Sequence, residues 1–560
     1  MYHHFRHLGV AIACVLAVVL LLTLLPGLLN PTPPSKEDRQ RDKQWISTSP
    51  YWLDRQACRW FMLCGVYHVR WDGPTRPPGN SIGDEDELRV DLRRRRSTSE
   101  VQDDRDRRPN EQAWMSKRRN PTEDGTGRRS GPHEEPKEIP DYVLKYAPLV
   151  HLYSGEHFWP SDIADFIKHM DPYTAGSMMN LTSPLDLDNM ADLEGHNESA
   201  IFLTSEVNVE TRPEWLHSYK NSPVPCNDLA TCGETVKGPQ EELTYSPLPL
   251  DKTTWWNVDK SHPIHRISDP RKVSRPTHEK RSGSGSSSRR RRPLAPLDPQ
   301  HVIGKVAMHK PDAEGSSRAP AVLIMVDKGS GVMDAFWFFF YSYNLGQTVF
   351  DIRFGNHIGD WEHAMVRFED GVPRALFCSE HEGGKAYLWS ALEKKKKKVQ
   401  QHRNGTQEGV EEESVERPVL YSAVGSHAMY ADAGKHPYVL PWGLLKDVTD
   451  KGALWDPSLN TYAYFYDYEA DAAGNTTDSL APAASNPDAP TGWFHFGGPW
   501  GDELYDLADR RQWRLFGQYH YITGPLGPKF KKLDRSKVCQ TDRCSIVTSI
   551  EAGRRSAWYG

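Results

Sequence analysis

At 560 residues the chain is long enough for about three or four average domains, yet only 38% of it is hydrophobic and its mean hydropathy is −0.68, which excludes a body packed from end to end. With 42 Gly, 42 Pro and 26% charged residues, the composition predicts one sizeable domain interrupted by long solvated segments, while 18 Trp and 23 Tyr supply core and strand material. A formal net charge of −6, with the basic runs confined to low-complexity stretches, excludes wholesale nucleic-acid binding.

Residues 8–29 form an apolar run without a charge. At about 1.5 Å per helical residue it spans a bilayer core of about 30 Å, and no small-residue cleavage site closes it, so it reads as an uncleaved signal anchor rather than a cleaved signal or a core helix. Arg6 precedes the run and Lys36, Arg39, Arg41 and Lys43 follow it, a charge bias that alone would leave the C-terminal side in the cytosol. Four sequons, at Asn180, Asn197, Asn404 and Asn475, argue for the lumen instead. So do three close cysteine pairs, Cys58/Cys64, Cys226/Cys232 and Cys539/Cys544, whose spacings suit short-loop disulfides better than zinc; Cys378 stays single and Cys14 lies within the run. A lumenal disposition of the large domain is the expectation.

Residues 30–139 read as a largely disordered linker carrying a Cys/aromatic patch at 45–70, and the folded domain is expected over 140–550, with disordered insertions at about 265–299 and 393–416. Within that domain the pattern is mainly β. Tyr142 to Tyr153 reads as extended, and Asp162 to Met170 as a short helix capped by Ser161/Asp162. Strands are expected at Ala321 to Val326, Ala335 to Tyr343, Trp361 to Phe368, Arg374 to Cys378 and Pro418 to Val424. Short strands, irregular loops and few short helices predict a β-sandwich-like lumenal domain.

The segment Gly355-Asn-His-Ile-Gly-Asp-Trp-Glu-His363 carries the chemistry. In a strand, Asp360 and Glu362 share one face while Trp361 and His363 take the other. Two like-facing carboxylates repel unless a cation or an arginine sits between them, and His357, freed by Gly355 and Gly359, can fold back toward them. One imidazole with two carboxylates suits Mg²⁺, Mn²⁺ or Ca²⁺, and Zn²⁺ less well. The plainer alternative pairs Asp360 with Arg353 or Arg367 and leaves the histidines as buried hydrogen-bonding groups. His427, in Gly-Ser-His-Ala, and His381, after Cys378-Ser-Glu, sit in strand-end loops and are further candidates for ligand contact, as is His363. No phosphate-cradling glycine motif, nucleophile elbow or zinc-protease helix is present.

Tyr146-Ala-Pro-Leu-Val-His-Leu-Tyr153 with Glu156 and Trp159-Pro-Ser-Asp162, then Asn356 to His363, then Tyr421-Ser-Ala-Val-Gly-Ser-His-Ala-Met-Tyr430 with Gly434-Lys-His436, resemble the fungal vacuolar protein sorting-associated protein sixty-two family over roughly 140–530. The resemblance implies an endomembrane protein connected with delivery to the vacuole, without an established catalytic activity. His-x-x-Asp-Trp-Glu is also similar to the central motif of necrosis- and ethylene-inducing-like proteins, secreted β-sandwich proteins that bind a divalent metal and sphingolipid head groups. That local similarity implies metal contacts at His357, Asp360 and Glu362, with Asn344 standing where a further acidic ligand is expected. The leading expectation is therefore a membrane-anchored sorting protein that binds cargo, a glycolipid or another polar ligand at a metal-stabilised rim. A divalent-metal-dependent hydrolase, with Glu362 or His427 moving protons, and a structural lumenal domain without a metal are the alternatives.

Overall fold

The computed structural model describes residues 12–20, 24, 35–72, 136–174, 176–181, 183–195, 201–211, 213–216, 309–381, 383–401, 411–438, 445–541 and 544–556. The strands that build the body are, in chain order, β1 Leu149–His151, β2 Ala321–Asp327, β3 Val332–Asn344, β4 His357–Glu369, β5 Val372–Glu380, β6 Gly383–Leu388, β7 Lys394–Gln401 and β8 Glu411–Ser422. They continue with β9 Met429–Tyr430, β10 Gly434–Pro437, β11 Lys446–Thr449, β12 Leu454–Trp455, β13 Thr461–Tyr466, β14 Leu480–Pro482 and β15 Ile546–Val547. The chain is mainly β with a few short helices, as expected.

A large sheet runs β14-β13-β2-β3-β4-β5-β6-β15, and a smaller one runs β7-β8-β1-β12 with β9 also on β8. Central strand β3 explains why the layers stack as they do. Its odd residues Ala335, Trp337, Phe339 and Tyr341 join Leu323, Ala364 and Val366 in a core shared with Val150, Leu420, Met429 and Trp455 of the smaller sheet. Its even residues Phe336, Phe338 and Phe340 turn to the opposite core, where Ile163, Phe166, Trp493 and Trp500 cover the sheet. A strand buried on both faces needs a continuous apolar run rather than alternation, and Phe336-Trp-Phe-Phe-Phe340 supplies it. The aromatic stretch is thus core, fully enclosed from Ala335 to Phe339.

Several expectations are corrected. Residues 142–153 are not extended throughout: helix α3, Asp141–Lys145, precedes β1, with Pro140 before it, an acid in its first turn and a lysine in its last. The segment 393–416, expected as a solvated insertion, contributes β7, which pairs antiparallel along β8 in a register that sets Lys396 opposite Glu416 and Gln401 opposite Glu411. Residues 30–50, read as linker, include helix α1, Lys36–Thr48, followed by α2, Trp52–Phe61. Both dock on the C-terminal part: Trp45, Cys58 and Cys64 pack with Leu507 and Ala508, Leu63 and Cys64 pair with Leu515 and Arg514, and Asp42 forms an ion pair with the buried Arg514 at 2.5 Å. The helix after Asp162 forms as expected, as Ile163–Phe166, with the Asp162 side chain accepting from the Ala164 N–H.

Disulfides join Cys58 to Cys64 and Cys539 to Cys544, and Cys378 is a buried free thiol. Cys226, Cys232 and the insertion at 265–299 lie outside the described residues. Among the described residues no helix is long and apolar enough to cross a membrane; 12–20 are helical, and apart from Leu24 the rest of the apolar run lies outside them.

Candidate functional site

Gly359 decides which side chains meet. In β3 and β4, which pair Asn344 with His357 and Tyr341 with Asp360, side chains two residues apart should share a face. Instead Tyr343 and Ile358 enter the helix-side core while Tyr341 lies in the core between the sheets, so the alternation slips by one residue at Ser342/Gly359. Gly359 has φ +65°, and a Cβ there would lie 2.0 Å from the Trp500 carbonyl oxygen, so glycine is needed both for the conformation and for the approach. Beyond the slip, Asn344 donates to Asp360 Oδ2 at 3.4 Å, which brings together two of the residues expected to meet. As expected, Asp360 and Glu362 share one face, and Trp361 and His363 the other.

The centre of the cluster is His427. The loop from β8 to β9 turns through Gly425 and holds His427 at φ +54°, a left-handed conformation uncommon for a side-chain-bearing residue. Its imidazole, fully buried, stacks on the Tyr341 ring at 3.6 Å and 3°. Nδ1 bonds Asp360 Oδ2 at 2.9 Å, and Nε2 faces Glu156 Oε1 at 3.7 Å. Burial opposes protonation, but the Glu156 and Asp360 carboxylates outweigh it and bring His427 up to about 9. Burial would likewise raise Glu156, but the His427 charge and the N–H groups of Phe158 and Gly425 hold it below its ordinary value.

Glu362, next on the same face, accepts the Ser379 hydroxyl, and burial together with the Asp360 charge pushes it up to about 8. His357 Nδ1 bonds the Gly359 carbonyl at 2.6 Å, and burial lowers its basicity. Nearer the surface, His381, also left-handed at φ +55°, bonds Asp447 at 2.8 Å. Asp447, on β11, is fully buried and also accepts Ser426 and Tyr430 hydroxyls, each at 2.8 Å. Burial works against charge on His381, yet Asp447 carries it up to about 9; the side chain remains 33% exposed, with the Tyr438 ring 4.3 Å away. The arrangement is a run of acid–imidazole pairs leading from the buried Glu156 to a rim at His381.

A divalent-ion centre at His357, Asp360 and Glu362 would need their ligand atoms gathered around one point. Among the described residues, the one set of three His, Cys, Asp or Glu side chains whose ligand atoms lie within 4.8 Å of one another is Asp42, Cys58 and Cys64, and those sulfurs are bonded to each other. His357, Asp360 and Glu362 make no such set, because each has another partner: a carbonyl, an imidazolium and a hydroxyl. The arginine pairing is not formed at Asp360 either; Arg353 pairs with Asp72 and Arg367 with Asp334. His363, expected as a further ligand contact, is fully buried on the other face, 5.1 Å from Phe338, and burial holds it far below its ordinary value. Cys378, likewise enclosed, has its thiol pushed well up, away from nucleophilic use. Asn180 and Asn475 are exposed, whereas Asn197 and Asn404 lie outside the described residues.

Asp447, Ser379 and Tyr341 were missed as site residues, since they lie on three separate strands with no local pattern linking them. Glu156 stood in a family motif but carried no chemical signal of its own.

No family model matches the chain, and no solved structure matches it. Two proteins of Saccharomyces cerevisiae are similar to it. The vacuolar protein sorting-associated protein TDA6 is 34% identical over 420 residues, 72% of this chain and 69% of that protein. Vacuolar protein sorting-associated protein 62 is 32% identical over 407 residues, 72% of this chain and 68% of that protein.

Proposed function

The chain belongs to the vacuolar protein sorting-associated protein 62 family, and from that premise we propose that it is a membrane-anchored component of delivery to the vacuole whose β-rich domain holds a polar, hydroxyl-bearing ligand at the His427 cluster. The apolar run at 8–29 supports the anchor, and the paired cysteines and exposed sequons support a lumenal domain. The observation that carries the ligand reading is the pairing of acids with imidazoles, from Glu156 through His427 to Asp360 and again from Asp447 to the partly exposed His381. His381 is the member of this set that reaches solvent, and an imidazole matched to a buried carboxylate there offers a hydrogen bond rather than a bare charge. Such a set suits a ligand rich in hydroxyls better than a free ion.

The test is genetic. Cells lacking the chain should secrete part of a vacuolar hydrolase; the parent chain should restore delivery, and Asp360→Asn, made to the same level, should not. Normal delivery without the chain would defeat the sorting role. Full rescue by Asp360→Asn would defeat the role of the site.

A further inference from the structure

Helix α2 and the segment after it present an apolar surface that nothing in the described chain covers. Trp52, Leu53, Trp60, Val66, Tyr67 and Trp71 are 62%, 74%, 67%, 42%, 67% and 70% exposed. Single exposed apolar residues are ordinary, but six large ones gathered within residues 52–71 mark a contact surface. At about 100° per residue, Trp52, Gln56, Trp60 and Leu53 fall within an arc of about 100° on α2, nearly opposite the buried Asp54 and Cys58. The helix is therefore apolar on its outer side while a polar residue helps to fasten its inner side, the reverse of a surface helix made only to cover a core. Trp60 donates its indole N–H to Gln56 Oε1 at 3.1 Å, and Tyr51 stacks on Tyr67 at 4.0 Å, so the rings are held in place. Cys58–Cys64 closes the turn behind them.

The position of this surface in the chain names its occupant. Residues 30–35 alone separate the apolar run from the start of α1, a distance of at most about 25 Å when extended. Exposed Arg59 falls beside Trp52 on the helical wheel of α2, and exposed Lys43 lies on α1. Tryptophan and tyrosine with flanking cations are the side chains that settle at the headgroup level of a bilayer.

We propose that the outer face of α2, with Val66 to Trp71, seats in the interfacial layer of the bilayer that holds the apolar run, so that the domain lies against the membrane instead of swinging from a linker. This rests on the anchored reading above, and the two fail in different ways.

The experiment uses the full chain reconstituted into phosphatidylcholine vesicles with bromine at mid-acyl positions. The first tryptophan is Trp45, so the apolar run contributes no emission. Three docked rings among 18 tryptophans should give bromine quenching of up to about a sixth of the fluorescence. In the variant Trp52→Phe/Trp60→Phe/Trp71→Phe, which keeps the surface apolar and removes its reporters, that quenching should disappear. Protein that floats with the vesicles but shows no quenching, or quenching that survives in the variant, overturns the docking and leaves the anchor standing. Concentration-dependent self-association in place of quenching also overturns it, assigning the face to a second copy. Protein that does not float with vesicles overturns the anchor and the docking together.

Discussion

Glu362→Gln separates the two ways of using the carboxylates of β4. In the folded chain Glu362 is pushed up to about 8, first by burial and then by Asp360, from 4.5 in the unfolded chain. An acid raised on folding contributes fully below its unfolded value, and stability is lost as pH rises toward the folded one. Taking up the proton that folding requires costs about 1.4 kcal/mol for each pH unit above 4.5, hence about 3 kcal/mol at pH 7, levelling off above 8. Glutamine imitates the protonated acid without that cost. Ser379 accepts the His363 N–H at 2.8 Å and spends its own proton on residue 362, a bond that the glutamine carbonyl can still accept. Urea denaturation followed by fluorescence should therefore find the variant equal to the parent near pH 4.5 and about 3 kcal/mol more stable at pH 7. A variant less stable than the parent at pH 7, or a difference flat with pH, would refute the reasoning. If the parent then also gained stability from Mg²⁺, Mn²⁺ or Ca²⁺, Glu362 would be an ionised ligand and the divalent-ion expectation would be supported.

Two other outcomes are expected. Gly359→Ala places a Cβ 2.0 Å from the Trp500 carbonyl at a φ of +65°, so it should cost more than about 2 kcal/mol in the same denaturation assay; an unchanged midpoint would mean that the slip in alternation is not held there. If the domain is lumenal, endoglycosidase should shift the mobility of the chain from glycosylation-competent cells, with a smaller shift in Asn180→Gln/Asn475→Gln, and no shift in the parent would defeat the assignment.

The central strands were legible because their signal is compositional. A chain buried on both faces must be apolar at successive positions, and residues 321–326 and 335–341 are. What escaped was structure decided by distant partners. Helix α1 is strongly charged, with nothing in its own sequence to distinguish it from linker; it is held because Asp42 reaches Arg514 and Trp45 meets Leu507, hundreds of residues away. Strand β7 is a lysine run that reads as solvated, and its strand form comes from pairing along β8 rather than from a pattern of its own.

The site divides along the same line, and Gly359 shows why. Period-2 geometry correctly put Asp360 and Glu362 together and His363 opposite, because that rule needs only sequence distance. It fails two residues earlier, where a positive φ shifts the phase and sends Ile358 to the opposite core from Tyr341, and the motif alone gave no sign of which side His357 would join. The decisive partner came from elsewhere still. Two facing carboxylates require a positive charge, for which a metal or an arginine was the expected source. The fold supplies it as the His427 imidazolium, from a loop 67 residues further along, turned inward by its own left-handed backbone. A strained histidine that neutralises Asp360 while Glu362 keeps its proton lets both carboxyls share one buried face, so the need for charge was readable in the strand, but its source was fixed only by the loop that closes over it.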